Sequence, residues 1–348
     1  MKSCMDWDES VEYPCKAAVP PGMTAAILHR ADEEFPFLHD TMITVLKGKL
    51  FAAWYNCTED EIAGRTVIRG RWLKDDGTPD SSLQIVAEMP ELHAVPVTFF
   101  EEESGVYAFA TLMTGHDVPV GYVVTKYEDG AWRQVRTGKT PVLLNTLPVR
   151  LPDGSFLLCG RIAGKEGEHP LIPCAVTCTS ALEELHIHPL PGVWNGGEYL
   201  LPYPETTMIT ENGRVHALVR NEHGPALCFE STDSGETWSA AQESSLPAAP
   251  AKMCAGVLSD GQQYVIFNEK TAQNDRSRLV MALRENMDSD FDRLYLLRDG
   301  FDAGLQGGPY WHYPCACEKD GVLYITCTVS GEGIERHAAL LTVPVVSL

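Results

Sequence analysis

The fold class predicted for this chain is all-β: a six-bladed propeller of four-stranded antiparallel blades. Three observations predict it. One hairpin pattern recurs six times along the 348 residues. A turn glycine closes each copy at a nearly constant period. Finally, 29 Gly and 23 Pro are spread evenly, which suits many short strands joined by turns better than long helices.

The hairpins, in order, are TMITVLKGKLFAAWY, PVTFFEEESGVYAFATL, LPVRLPDGSFLLCGRI, TTMITENGRVHALVR, CAGVLSDGQQYVIFNE and YPCACEKDGVLYITCTV. Each is an apolar strand, a short polar turn with Gly, and a second apolar strand. Asp-Gly, Asn-Gly or Lys-Gly supplies the positive φ of a tight turn. The turn glycines are Gly48, Gly105, Gly154, Gly213, Gly261 and Gly321, so successive spacings are 57, 49, 59, 48 and 60 residues. A third strand-like run follows, as in RTVIRGRWL, GYVVTKYE, PALCFEST and SRLVMALRE, and then a less regular apolar run. That makes a four-stranded blade. Six blades use the whole chain, 1–348, as a single expected domain, and radial closure hides the sheet edges an open meander would expose. Two stacked sandwiches would need a composition break near the middle, and none is visible.

Composition narrows the function. With 44% hydrophobic residues the chain can bury a large core, and 48 acidic against 27 basic residues give a formal charge of -21. Such a charge disfavours nucleic acid and anionic membranes as partners. No run approaches the roughly 18 apolar residues that span a bilayer, and MKSCMDWDES lacks an apolar signal region, so a cytoplasmic location is expected. The 11 cysteines are odd in number and no CxxC faces a second CxxC or an HxxxH. They read as small reduced core residues, with no metal and no cofactor expected.

Between the third and fourth strands of the fourth repeat stands Ser231-Thr232-Asp233-Ser234-Gly235-Glu236-Thr237-Trp238, which fits S-x-D-x-G-x-T-W at every defined position. In such a turn Asp accepts amide hydrogen bonds, Gly takes a left-handed conformation and Trp buries itself between blades. Degenerate copies occupy the same place at Trp72–Thr78 and Lys126–Trp132. With this Asp-box and the repeat along nearly its whole length, the chain resembles the sialidase-like (neuraminidase, BNR-repeat) propeller superfamily.

Residues at one offset before each turn glycine should ring one mouth of the central channel. Eight residues before lie Asp40, Val97, Thr146, Glu205, Met253 and Tyr313, flanked by His39, Asn145 and His312, with His93 just upstream. Seven residues after lie Tyr55, Leu112, Arg161, Arg220, Asn268 and Thr328. Two arginines, a carboxylate, a tyrosine and several histidines therefore converge.

The resemblance implies roles for part of this ring. Glu205 and Arg220 match a Glu that opens an inner strand and an Arg that ends its partner, Arg276 matches a later arginine better than Arg278, and Tyr313 matches the nucleophile opening the last inner strand. It implies retaining hydrolysis with a Tyr nucleophile and Glu205 as its base, and arginines that clamp a substrate carboxylate. The family's acid/base Asp falls in NCTEDEIAGR, which offers Glu59, Asp60 and Glu61, with Asp60 preferred. One departure stands out: Phe37-Leu38-His39-Asp40-Thr41 replaces the strand that carries the family's first arginine. Arg161 is a candidate substitute, and His39, Asp40 and His93 are candidate sugar-binding groups.

Plainer readings accompany these. Glu205 and Arg220 make a strand-holding ion pair, Arg276 lies in a solvated loop, and Tyr313 packs an inner strand. The expected function is an exo-acting glycoside hydrolase releasing a terminal acidic sugar. The alternatives are a polysaccharide lyase, using His39, His93 or His312 with Tyr313, and a non-catalytic carbohydrate-binding propeller. The oligomeric state is not encoded in any motif.

Overall fold

The structure is a computed structural model that describes residues 3–14, 16–163, 171–192, 201–271, 276–300 and 308–348. Strand β1 (Thr24–Arg30) is set aside at the start of the chain and used last. Blade 1 comprises β2 (Phe37–Leu46), β3 (Lys49–Cys57), β4 (Thr66–Leu73) and β5 (Gln84–Glu88), and blade 2 comprises β6 (His93–Glu102), β7 (Gly105–Met113), β8 (Pro119–Glu128) and β9 (Ala131–Gly138). In blade 3 the innermost position is divided between β10 (Val142–Leu144) and β11 (Val149–Arg150), followed by β12 (Phe156–Ile162), β13 (Ile172–Cys178) and β14 (His186–Pro189). Blade 4 holds β15 (Thr206–Glu211), β16 (Arg214–Val219), β17 (Leu227–Ser231) and β18 (Gln242–Glu243); blade 5 holds β19 (Cys254–Val257), β20 (Gln263–Asn268), β21 (Arg278–Arg284) and β22 (Arg293–Asp299). Blade 6 is β23 (Tyr310–Lys319), β24 (Val322–Gly331) and β25 (Ile334–Pro344), completed by β1 as its outer strand. The two ends of the chain thus share one antiparallel sheet, from Thr24 opposite Thr342 to Arg30 opposite His337. The six-bladed, four-stranded architecture expected from the repeats is what the chain forms.

Local turn chemistry explains the hairpins. Lys47-Gly48, Asn212-Gly213 and Asp320-Gly321 each have two successive residues at positive φ, the two-residue turn whose twist matches the flanking strands. In blade 2 the two turn residues are Glu103 and Ser104 instead, and Gly105 is the first residue of β7. The second strands are buried on both faces because neighbouring blades cover them, so they read as nearly continuous apolar runs such as LFAAWY and VYAFATLM. Buried strand cysteines, including Cys57, Cys159, Cys174, Cys315 and Cys327, act as small apolar fillers.

The Asp-box behaves as its sequence dictates. Asp233 Oδ1 accepts from the Thr237 amide at 2.9 Å and from Ser231 Oγ at 2.7 Å, and Trp238 Nε1 donates to the Gly235 carbonyl at 3.0 Å. Trp238 packs with Leu157, Cys159 and Ala175 of blade 3 and with Met208 and Val215 of blade 4. The degenerate copies serve a second seam, where Trp72 and Trp132 join Phe51, Phe99 and Tyr127. Gly235 has φ +91°, and a Cβ there would lie 2.8 Å from Leu157 Cδ1. Gly235→Ala is therefore expected to cost about 1–3 kcal/mol, from the left-handed backbone plus the displaced leucine. Denaturant unfolding showing a change below a few tenths of a kcal/mol would refute this account of the turn.

At one level of the propeller the inner strands are either interrupted or begin. Register skips Asp40-Thr41 in β2, Val95-Pro96 in β6 and Tyr313-Pro314 in β23. Blade 3 breaks between β10 and β11, and the strands of blades 4 and 5 begin just after Glu205 and Lys252. Bulges re-aim side chains. Asp40 and Tyr313 sit in them at φ +49° and +54°, a conformation that is strained for a bulky aromatic residue. Beyond this level the axial channel forms a cavity of about 330 Å³ lined by residues such as Met42, Thr146, Thr207, Met253 and Cys315.

Candidate active site

The interrupted ends of the inner strands enclose a pocket lined by Asp40, Tyr55, Glu61, His116, Asp117, Arg161, Tyr203, Glu205 and Tyr313. Its centre is a buried phenol on a buried carboxylate. Tyr313 Oη donates to Glu205 Oε1 at 2.6 Å, and Arg220 Nη1 donates to Glu205 Oε2 at 2.9 Å. Arg161 Nη1 lies 3.6 Å from Glu205 Oε1 while its Nη2 lies 3.2 Å from Asp117 Oδ1. Arg220 also pairs with Glu222, and its guanidinium lies over the Tyr203 ring, 5.1 Å from the centroid. Burial alone would push the Glu205 carboxyl up, but Arg161, Arg220 and the Tyr313 hydroxyl together hold it below its usual range. Burial, and then the Glu205 charge, push the Tyr313 phenol well above its ordinary value, so at rest it keeps its proton.

Two more cations stand against Tyr313. The Arg276 guanidinium is 5.4 Å from the ring centroid, held by a 2.9 Å contact to His312 Nδ1, and Asn268 anchors the backbone of that loop through the carbonyls of Arg276 and Arg278. Lys252 Nζ is 5.2 Å from the same centroid and donates to Asp40 Oδ1 at 2.6 Å. Both members of that ion pair are buried. His39 packs on Tyr313 with ring centroids 4.5 Å apart.

The inner-strand offset therefore finds Asp40, Glu205 and Tyr313, and the return offset finds Tyr55, Arg161 and Arg220. The structure brings Arg276 and His39 to the same tyrosine. It does not bring Asp60 or His93 to the pocket lining. Asp60 is exposed on its loop, where Oδ1 caps the Glu61 amide at 2.8 Å, and the neighbouring Glu61 turns inward to accept the Tyr55 hydroxyl at 3.0 Å. His93 contacts Thr66 Oγ1 at 2.8 Å at the end of blade 2. Arg161, the candidate stand-in for the absent first arginine, is occupied between Asp117 and Glu205. Lys252 was not found by spacing, because the offset points one residue on, to Met253. His116 and Asp117 were missed because they come from the β7–β8 connection, outside the strand ring; Tyr203 and Glu222 flank Glu205 and Arg220 without a pattern of their own.

The pocket cavity is only about 40 Å³, so a sugar ring would have to displace side chains at its mouth, where Glu61, His116 and Tyr203 are exposed. Among the described residues no group of three or more His, Cys, Asp or Glu is placed to hold a metal ion.

The two inner histidines set an acid limit. Burial, then Arg276 and Arg336, lower His312 from 6.5 to about 3, and burial, then His312 and Arg336, hold His39 well below 6.5. Their folded pKa lies below the unfolded one, so the stability they contribute is full above about pH 6.5 and is lost as pH falls toward 3. The lowered carboxyls of Glu205 and Asp117 act in the same sense at the acid end. The melting temperature is expected to decline steadily from pH 7 to pH 4, more shallowly in His312→Asn. A flat profile would contradict this burial-driven reading.

A model of the BNR repeat-like domain matches residues 48–333, and the chain belongs to that family. A search of curated protein sequences finds no match. Among solved structures, a protein of unknown function from Dyadobacter fermentans superposes with TM-score 0.71 at 14% identity, over 92% of this chain and 99% of that one. Trypanosoma rangeli sialidase gives TM-score 0.67 at 13% identity, over 92% of this chain and 59% of its own. The NanB sialidase of Streptococcus pneumoniae gives 0.69 at 11%, over 93% and 71%. This chain thus spans about three fifths of the trypanosomal enzyme. The shared feature is the sialidase-like six-bladed propeller.

Proposed function

We propose that the protein is an exo-acting glycoside hydrolase that releases a terminal sugar bearing a carboxylate. The observation that carries this reading is the 2.6 Å hydrogen bond from Tyr313 to Glu205, buried among Arg161, Arg220, Arg276 and Lys252. A neutral phenol attacks an anomeric carbon next to a carboxylate without the repulsion a carboxylate nucleophile would meet. Its oxygen bonds to that carbon while its proton passes to Glu205 and the leaving oxygen departs. Arg276, which has no carboxylate on it among the described contacts, and Lys252 are the cations placed to hold the substrate carboxylate. One T. rangeli sialidase structure is a complex with 2,3-difluorosialic acid as a covalent intermediate, which supports a covalent route on this fold.

The test is covalent trapping. The protein is incubated with 2,3-difluorosialic acid and, separately, with a fluorinated uronosyl fluoride, digested and mapped by mass spectrometry. An adduct on the peptide containing Tyr313 is expected. Adducts elsewhere, or none with either reagent together with no turnover of aryl sialosides or uronides, would overturn the reading. A lyase reading has one observation in its favour: burial holds His39 well below its ordinary value, its ring packs at a tilt against Tyr313, and its Nδ1 has no hydrogen-bond partner among the described residues. Ultraviolet absorbance from an unsaturated product distinguishes it.

A further inference from the structure

We propose that His116 is the general acid and base of this site, donating the proton to the leaving oxygen and later taking one from the attacking water; this rests on the hydrolase reading above. Among the described residues, the carboxyls that line the pocket are otherwise engaged. Asp40 is held by Lys252, Glu205 by Arg220 and Tyr313, and Asp117 by His116 and Arg161. Glu61 accepts the Tyr55 hydroxyl. His116 stands at the mouth with its side chain 54% exposed, where a leaving group would exit.

Its orientation fits a proton donor. Nδ1 lies 2.8 Å from Asp117 Oδ2, which leaves Nε2 directed away from that carboxylate, 3.8 Å from Glu61 Oε1. Asp117, 10% exposed and in turn 3.2 Å from Arg161, is a fixed carboxylate that orients the ring. Among the described residues, the groups facing His116 are thus Asp117 on its own connection, Glu61 from the β3–β4 connection, Tyr203 with ring centroids 6.2 Å away, and Arg161 behind Asp117. The Asp117 carboxylate raises the imidazole from its ordinary value, against burial and Arg161, which favours the protonated, proton-donating form.

The steps balance. In the first, the Nε2 proton goes to the glycosidic oxygen as its bond to the anomeric carbon breaks, and Tyr313 oxygen takes the vacated bond while its proton goes to Glu205. In the second, neutral His116 accepts a proton from water, the water oxygen bonds to the anomeric carbon, and the Tyr313 oxygen leaves and recovers its proton from Glu205. Sugar and alcohol are released and every side chain returns to its starting state.

His116→Asn and Asp117→Asn proteins would be assayed on sialosides and uronides with dinitrophenyl and with alkyl leaving groups, across pH. For His116→Asn we expect kcat/KM to fall roughly 100- to 1,000-fold for alkyl leaving groups and less than about threefold for dinitrophenyl, because only poor leaving groups need protonation. The alkaline limb of the wild-type profile should vanish in His116→Asn and move to lower pH in Asp117→Asn, whose imidazole has lost its carboxylate. Equal losses on both leaving groups, or this signature appearing in Asp60→Asn or Glu61→Gln instead, overturn the assignment while the hydrolase reading stands. Wild-type inactivity on every substrate overturns both.

Discussion

Tyr313→Phe is expected to abolish turnover of any aryl glycoside the wild-type protein cleaves, lowering kcat by roughly four orders of magnitude or more, while the protein remains folded. The substitution removes one oxygen. The ring keeps its place in the β23 bulge, its packing on His39 at 4.5 Å and the faces it offers to Lys252 and Arg276. Glu205 loses the hydroxyl but keeps the 2.9 Å bond from Arg220 and the Arg161 guanidinium, so no carboxylate is left buried without a cation. The cost therefore falls on the chemical step, because the atom that would bond to the anomeric carbon is gone. Steady-state kinetics beside thermal unfolding reads both parts. Retention of a tenth of the activity would remove Tyr313 from the mechanism, and a protein that no longer folds would mean that the hydroxyl mainly serves stability.

A second large effect is expected in the Asp40–Lys252 pair, and it is one of stability. Both side chains are more than nine-tenths buried, joined at 2.6 Å. Lys252→Met would leave the Asp40 carboxylate buried without its cation, at a cost of about 3–5 kcal/mol. Asp40→Asn should cost a similar amount by stranding the ammonium; Asn suits the test because it tolerates the φ of +49° at that position. The double variant should recover at least half of the summed loss, since neither charge then remains. Additive losses in denaturant unfolding would show that the two side chains act independently. Under the proposed function the pair has a second consequence: Lys252 puts a cation beside Tyr313 in the sector where β2 carries no arginine, so Lys252→Met should also weaken binding of an anionic sugar.

The blades were legible because their determinants are local. In blades 1, 4 and 6 a Gly after Lys, Asn or Asp sets a two-residue hairpin turn, and the Asp-box closes its hydrogen bonds within Ser231–Trp238. Periodic repetition then fixes the level at which side chains meet, which is why one offset reaches Asp40, Glu205 and Tyr313 together. The same reasoning fails by a single residue at Lys252 and has no purchase on His116 and Asp117, which arrive from a connection between strands. It also chose Asp60 over Glu61, where neighbouring carboxyls in one loop differ only in the direction the folded loop gives them.

The sequence by itself determined six hairpin repeats, their all-β propeller fold and the strand ends from which a polar ring is built. Only the tertiary structure decided which members of that ring touch. Tyr313 meets Glu205 across 108 residues and Lys252 meets Asp40 across 212. Turn conformation and burial periodicity are properties of a few adjacent residues, so they can be read along the chain. The pairing of charges in a pocket depends on how each inner strand bulges and which blade stands beside it, and the closed ring of blades fixes both.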